Sequence, residues 1–287
     1  MKKFFILLLV NAFMLTLSAF AATAATTSTD WTNNTSVNRV NTIGKNLLSK
    51  NNLPTNITFK VIESDDINAY ANGENELCVF TGLLKYVTDD QELAGVIAHE
   101  IGHILNSHVA KQSVFNAVSA TLINNANINQ NVKSAAAITQ NLSMKKMSRN
   151  EENEADITAV DLMVKAGYNP LAMVSVLYKI SGNYIDILED HPSGDKRTMY
   201  IYDYITYTYP EKAKLGYKSD SYTQFMAYAT PIVNERNSNQ SKLNKFNKEQ
   251  KKLQEQRIKK LKKYQNSTNE FGWKASYTLL KSLSSSN

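Results

Sequence analysis

Asp89-Asp90-Gln91-Glu92-Leu93-Ala94-Gly95-Val96-Ile97-Ala98-His99-Glu100-Ile101-Gly102-His103-Ile104-Leu105 carries the pattern that decides the fold. Leu93, Val96, Ile97, Ile101, Ile104 and Leu105 recur at helical spacing and predict one helix running to about Val109. Asp89 is its N-cap, and Glu92 three residues on predicts a capping box. At 3.6 residues per turn, His99 and His103 stand one turn apart beside the apolar stripe and point inward. Two imidazoles so placed can converge on one metal ion, and Glu100, about 100° round the axis, reaches a water there. The alternative is a pair of surface histidines on an ordinary helix, and the context below weighs against it. Gly95 and Gly102 each cost about 1 kcal/mol relative to alanine in a helix interior, which close packing beside the site would explain.

Two histidines leave a catalytic zinc site one protein ligand short. The chain has four histidines, of which His108 is the nearest further one. A third-histidine motif would place it at position 109 after a glycine at 106, whereas this chain has Val109 and Asn106. His108 is therefore read as structural. Glu151, Glu152 and Glu154 open a second predicted helix, which starts after Ser148 and ends at Ala166 with Gly167 as its cap. Ala155, Ala159, Leu162, Met163 and Ala166 define its buried stripe. Glu152 projects near the middle of that stripe, Glu151 about a quarter-turn off it, and Glu154 nearly opposite. A carboxylate aimed into a core needs a cation, and a metal supplies one. Glu152 is the ligand of choice. Asp156, one turn on, could hold a ligand histidine by its distal N–H.

These residues carry a resemblance. His-Glu-Ile-Gly-His at 99–103, Ser148-Arg149 with Glu152, Glu154, Ala155 and Asp156, Ala166-Gly167-Tyr168-Asn169-Pro170, and His191-Pro192-Ser193 with Arg197 occur together. Their order resembles the gluzincin zinc metallopeptidase family of HtpX, BepA, LoiP and the CAAX-prenyl endopeptidases, nearest to its soluble exported bacterial branch. The resemblance spans about residues 37–205. It implies an α+β, mainly helical zincin (gluzincin) domain with a small β-sheet, endopeptidase activity and one Zn2+ per chain. Carried over, His99, His103 and Glu152 are the ligands and Glu100 is the catalytic base. Asp156 stands behind the ligands, and His191 and Arg197 fall on a loop. In the mechanism this implies, the metal polarises a scissile carbonyl and acidifies water, and Glu100 moves the proton to the leaving amine. Arg197 or His191 would stabilise the oxyanion. His191 is alternatively a latch that sits on or beside the zinc in a latent resting state.

Outward from the site, Met1-Lys2-Lys3 and the apolar run after it read as a signal peptide over residues 1–21, cleaved near Ala19-Phe20-Ala21. Residues 22–36 read as a flexible leader, 37–210 as the metallopeptidase domain, and 211–287 as a basic helical C-terminal extension. Export to the periplasm or beyond follows. The single cysteine, Cys78, excludes an intrachain disulfide framework and reads as a small buried hydrophobe. Residues 57–62 and 77–80 read as strands, the latter as an edge along which a peptide substrate could add, and 68–71 as a possible third. Residues 111–147 read as loosely specified helix. The formal charge of +6 is concentrated in residues 242–263, where ten Lys/Arg face two Glu. That run predicts a helix with a solvated face, an anionic membrane surface or an acidic partner, and export argues against nucleic acid. Misfolded or unassembled envelope proteins are the expected substrates. A chaperone-like or scaffold protein with little turnover is the competing reading.

Overall fold

The apolar stripe around His99 and His103 does form a helix, and that helix is buried from Glu92 to Ile104. The computed structural model describes residues 34–53, 56–72, 75–108, 148–181 and 194–266, with backbone alone at 34 and 260–266. The signal peptide, most of the leader, residues 111–147, His191 and residues 267–287 lie outside the described residues. The elements in chain order are α1 (Asn34–Lys50), β1 (Thr58–Ile62), β2 (Ala69–Ala71), β3 (Glu76–Phe80), α2 (Thr81–Tyr86) and α3 (Asp90–Leu105). They are followed by α4 (Arg149–Ala166), α5 (Leu171–Ser181), α6 (Asp195–Thr208), α7 (Pro210–Ala213), α8 (Asp220–Ser238) and α9 (Gln240–Asn266). The fold is mainly helical with one small sheet, as the resemblance implies.

α3 is the central rod, packed against α4, α5, α1 and β2. Leu93, Ile97 and Ile101 are fully buried, each worth about 1.5–3 kcal/mol of hydrophobic stabilisation. Asp89 caps α3, its Oδ1 accepting from the N–H groups of Gln91 at 2.7 Å and Glu92 at 3.1 Å. The reciprocal half of the expected capping box is replaced by a core contact. Glu92 turns inward and accepts from Ser175 Oγ of α5 at 2.6 Å. The two glycines mark close approaches. A Cβ on Gly102 would lie 2.7 Å from the carbonyl oxygen of Ala155 in α4, and one on Gly95 would lie 3.3 Å from Met173 Cα in α5. Helix backbones therefore meet at Gly102, which brings α4 within reach of the histidines.

α3 ends at Leu105, short of the expected Val109. Asn106 Nδ2 donates to Gly102 O at 2.7 Å and to Thr158 Oγ1 of α4 at 3.1 Å, and Ser107 then takes a left-handed φ of 57°. α4 has the boundaries its sequence predicts. Ser148 and Glu151 form a complete capping box, and Gly167 closes the C-terminus at φ 88°.

The sheet corrects one expectation. Its order is β1-β3-β2, with β1 parallel and β2 antiparallel to β3, so the strand at 77–80 is central and not an edge. Leu77, Cys78 and Val79 are consecutive and all buried, the mark of a strand covered on both faces. β2 is the edge strand that packs on α3.

A second correction concerns residues 195–197, expected in a loop. They form the first turn of α6, which follows Gly194 and continues through the tyrosine-rich segment. Aromatic and β-branched residues give this segment modest helix propensity. Burial of Thr198, Ile201, Tyr204 and Ile205 outweighs it. α8 packs on α5, and α9 packs on α6 and α8. No helix among the described residues is long and apolar enough to cross a membrane.

Candidate metal centre

His99 and His103 reach the same point from adjacent turns of α3, their Nε2 atoms 3.0 Å apart. From α4, Glu152 places Oε2 3.5 Å from His99 Nε2 and Oε1 3.4 Å from His103 Nε2. All three residues are buried, at 6%, 1% and 0% exposure. Ligand atoms at bonds of about 2.0–2.1 Å on a zinc tetrahedron stand roughly 3.3 Å from one another, so the three separations fit one ion. The donor chemistry fits as well. His99 Nδ1 lies 2.9 Å from Asp156 Oδ1, which keeps its proton on Nδ1 and leaves Nε2 a bare lone pair. Two such lone pairs and a carboxylate converging in a dry site call for a cation. The group could hold one metal ion. The same acids would otherwise draw a proton onto His99: burial opposes that charge, yet Asp156 and Glu152 together raise its pKa to about 10.

Behind the carboxylates stands Arg197, from the first turn of α6. Its Nε and Nη2 bond the two oxygens of Asp156 at 2.6 and 2.7 Å, and Nη1 lies 2.7 Å from Glu152 Oε2. Burial works to raise Asp156, but Arg197 and His99 outweigh it and hold that carboxyl below its usual range. The position expected for an oxyanion donor thus holds a clamp on the two acids that face the metal point. Glu100, 2% exposed, follows His99 directly on α3. The structure brings together His99, His103, Glu100, Glu152, Asp156 and Arg197, while His191 lies outside the described residues.

Sequence reading passed over two residues at this site. His108, fully buried, places Nδ1 3.0 Å from His103 Nδ1 and Nε2 3.0 Å from Glu154 Oε2. On an unbroken helix His108 would stand about 140° round the axis from His103. The left-handed residue at Ser107 is what brings it back, and no local pattern announces that turn.

The sequence profile of peptidase family M48 matches residues 34–204, more than half of the chain and the whole of the stretch that builds this centre. The chain belongs to peptidase family M48. Among M48 relatives, it is 33% identical over 145 residues to the mitochondrial metalloendopeptidase OMA1 of Arabidopsis thaliana, covering 48% of this chain and 29% of that one. It is 29% identical over 179 residues to the metalloprotease LoiP of Escherichia coli (strain K12), covering 57% and 66%. With the beta-barrel assembly-enhancing protease of the same organism it shares 28% identity over 180 residues, covering 55% and 36%. The chain thus spans less than two thirds of each of these relatives. α8 and α9 lie beyond the matched stretch.

Proposed function

We propose that this chain is a zinc-dependent endopeptidase of the bacterial cell envelope. The observation that carries the reading is the convergence of His99 Nε2, His103 Nε2 and the Glu152 carboxylate on one buried point, with Glu100 next to it in sequence. His99, His103 and Glu152 hold the ion. Zinc bound there supplies Lewis-acid chemistry, polarising a carbonyl and bringing the pKa of water towards about 7. Glu100 takes the proton released by the attacking water and returns it to the leaving amine. Asp156 orients His99 through Nδ1. Arg197 fixes Asp156 and Glu152 in place, so that the ligand carboxylate cannot swing away from the metal point. An extended substrate adds to the β2 edge, which lies against the same helix as the histidines.

Export rests on the signal-like start at residues 1–21, and a periplasmic location fits it. Unassembled or misfolded envelope proteins are the substrates this reading favours, in line with the relative named for β-barrel assembly. The outer side of α9, where Lys245, Lys248, Lys252 and Lys259 are exposed, suits an anionic membrane surface or an acidic partner and not nucleic acid. Digestion of casein and of a denatured outer-membrane protein, with and without a chelator, tests the activity. Cleavage that a chelator stops and added zinc restores is the expected result. A zinc-loaded, folded protein that leaves both substrates intact would favour the chaperone or scaffold reading instead.

A further inference from the structure

The histidines of α3 are backed in two different ways. His99 Nδ1 faces the carboxylate of Asp156 directly, at 2.9 Å. His103 Nδ1, by contrast, is met by an imidazole. It faces Nδ1 of His108 at 3.0 Å, and His108 Nε2 faces Glu154 Oε2 at 3.0 Å. Nε2 of His103 is the atom that points at His99 and Glu152, so it must keep its lone pair to bind a metal. The proton of His103 then sits on Nδ1, where it can only be donated, and Nδ1 of His108 must accept it. The proton of His108 sits in turn on Nε2 and is donated to Glu154. One arrangement of the three groups makes both contacts hydrogen bonds with a donor and an acceptor.

The geometry points to His108 and Glu154 as a two-residue relay that positions His103 for metal binding, an inference that rests on the metallopeptidase reading above. Both metal-facing histidines are then backed by a carboxylate of α4, Asp156 directly and Glu154 through an imidazole. Donation from Nδ1 fixes the ring about its χ2 axis and makes Nε2 a stronger donor to the metal. The fold makes specific provision for the relay. Asn106 ends α3 by bonding Gly102 and Thr158, and Ser107 turns left-handed, which returns His108 beneath His103. Thr158 Oγ1 also donates to the carbonyl of Glu154 at 2.7 Å, so one threonine of α4 ties the helix break to the residue that ends the relay. A histidine that merely filled core volume would need neither contact aligned on a ring nitrogen. His108 has both.

The test uses the full chain and reads the zinc dissociation constant by competition with a chromophoric chelator, alongside denaturant unfolding of the metal-free protein. His108→Leu should weaken zinc binding by about 10- to 100-fold, and Glu154→Gln by a smaller factor. His108→Asn places a carbonyl oxygen near the site of Nδ1, still able to accept from His103, and should recover much of the affinity lost in His108→Leu. A purely structural residue would lower the stability of the metal-free protein and leave the affinity of the folded molecules unchanged. Zinc affinity in His108→Leu or, should that variant not fold, in Glu154→Gln that stays within twofold of wild type overturns the relay. Failure of the wild-type chain to bind zinc would be a different result: it would bring down the metallopeptidase reading and the relay together.

Discussion

Helix α4 carries two buried acidic clusters, and they balance their charge in opposite ways. At its N-terminal end Glu152 and Asp156 share one guanidinium, Arg197, and face two imidazoles. Further along, Asp161 accepts from the phenols of Tyr204 at 2.7 Å and Tyr209 at 2.8 Å, and from Arg257 Nε of α9 at 3.1 Å. The second cluster is closed in charge: one acid, one base, and phenol donors for the acid's remaining lone pairs. Burial still pushes the Asp161 carboxyl up, against the pull of Arg257 and the tyrosines. The first cluster is open. Glu152 and Asp156 share that one guanidinium, and the imidazole nitrogens and the Glu152 carboxylate converge on one point. Buried charge by itself therefore does not mark a metal site. A local deficit of positive charge, with lone pairs aimed at one point, does.

Removal of a ligand should have the largest effect. Glu152→Ala is expected to lose bound zinc and proteolysis together, whereas Glu151→Ala, which touches only the helix cap, should keep both. Metal analysis of the purified variants checks this, and the reverse result would move the ligand by one residue. Glu100→Gln comes next. The amide cannot accept a proton, so turnover should fall by at least about 100-fold while zinc stays at one per chain. Loss of the metal from folded Glu100→Gln would show that Glu100 belongs to the open cluster as a ligand.

The closed cluster should answer in stability and not in metal. Arg257→Leu leaves Asp161 buried without its cation, and the metal-free protein should lose about 3–5 kcal/mol in denaturant unfolding. Zinc affinity of the folded fraction should be unchanged. A parallel loss of affinity would mean that the two clusters act as one unit through α4. Tyr204→Phe is the smallest change. It removes one of several donors to Asp161 and should cost about 1 kcal/mol, again without effect on zinc. A loss as large as that of Arg257→Leu would show that the phenol, not the guanidinium, carries the cluster.

Much of the open cluster was legible in the chain, for local reasons. Ser148 and Glu151 announce a helix start, and that start sets the register in which Glu152 faces inward. His99 and His103 need only one turn of helix to converge. The closed cluster was not legible. Projected on the helix wheel of α4, Asp161 falls nearly opposite the apolar stripe and reads as an acid in solvent. It is buried because α6 supplies Tyr204, the residue capping that helix supplies Tyr209, and α9 supplies Arg257, 96 residues away. Arg197 was named from the chain, but its grip on the two acids was hidden for a related reason: a tyrosine-rich run became a helix only because packing outweighed its propensity.

The sequence by itself determined what depends on period and caps: the helix starts at 90 and 149, their inward faces, and Gly102, the glycine at which those two helices touch. It also carried the motifs that resemble family M48. Tertiary structure alone decided which strand lies at the sheet edge, that Arg197 clamps two acids, that a break at Ser107 sets His108 behind His103, and that α9 is fastened to α4. The physical reason is the range of the interactions. Helix register follows from hydrogen bonds four residues apart and can be projected from composition. The partner a buried charge finds depends on how distant elements dock, and that is chosen by the burial of whole faces and not by any spacing within one of them.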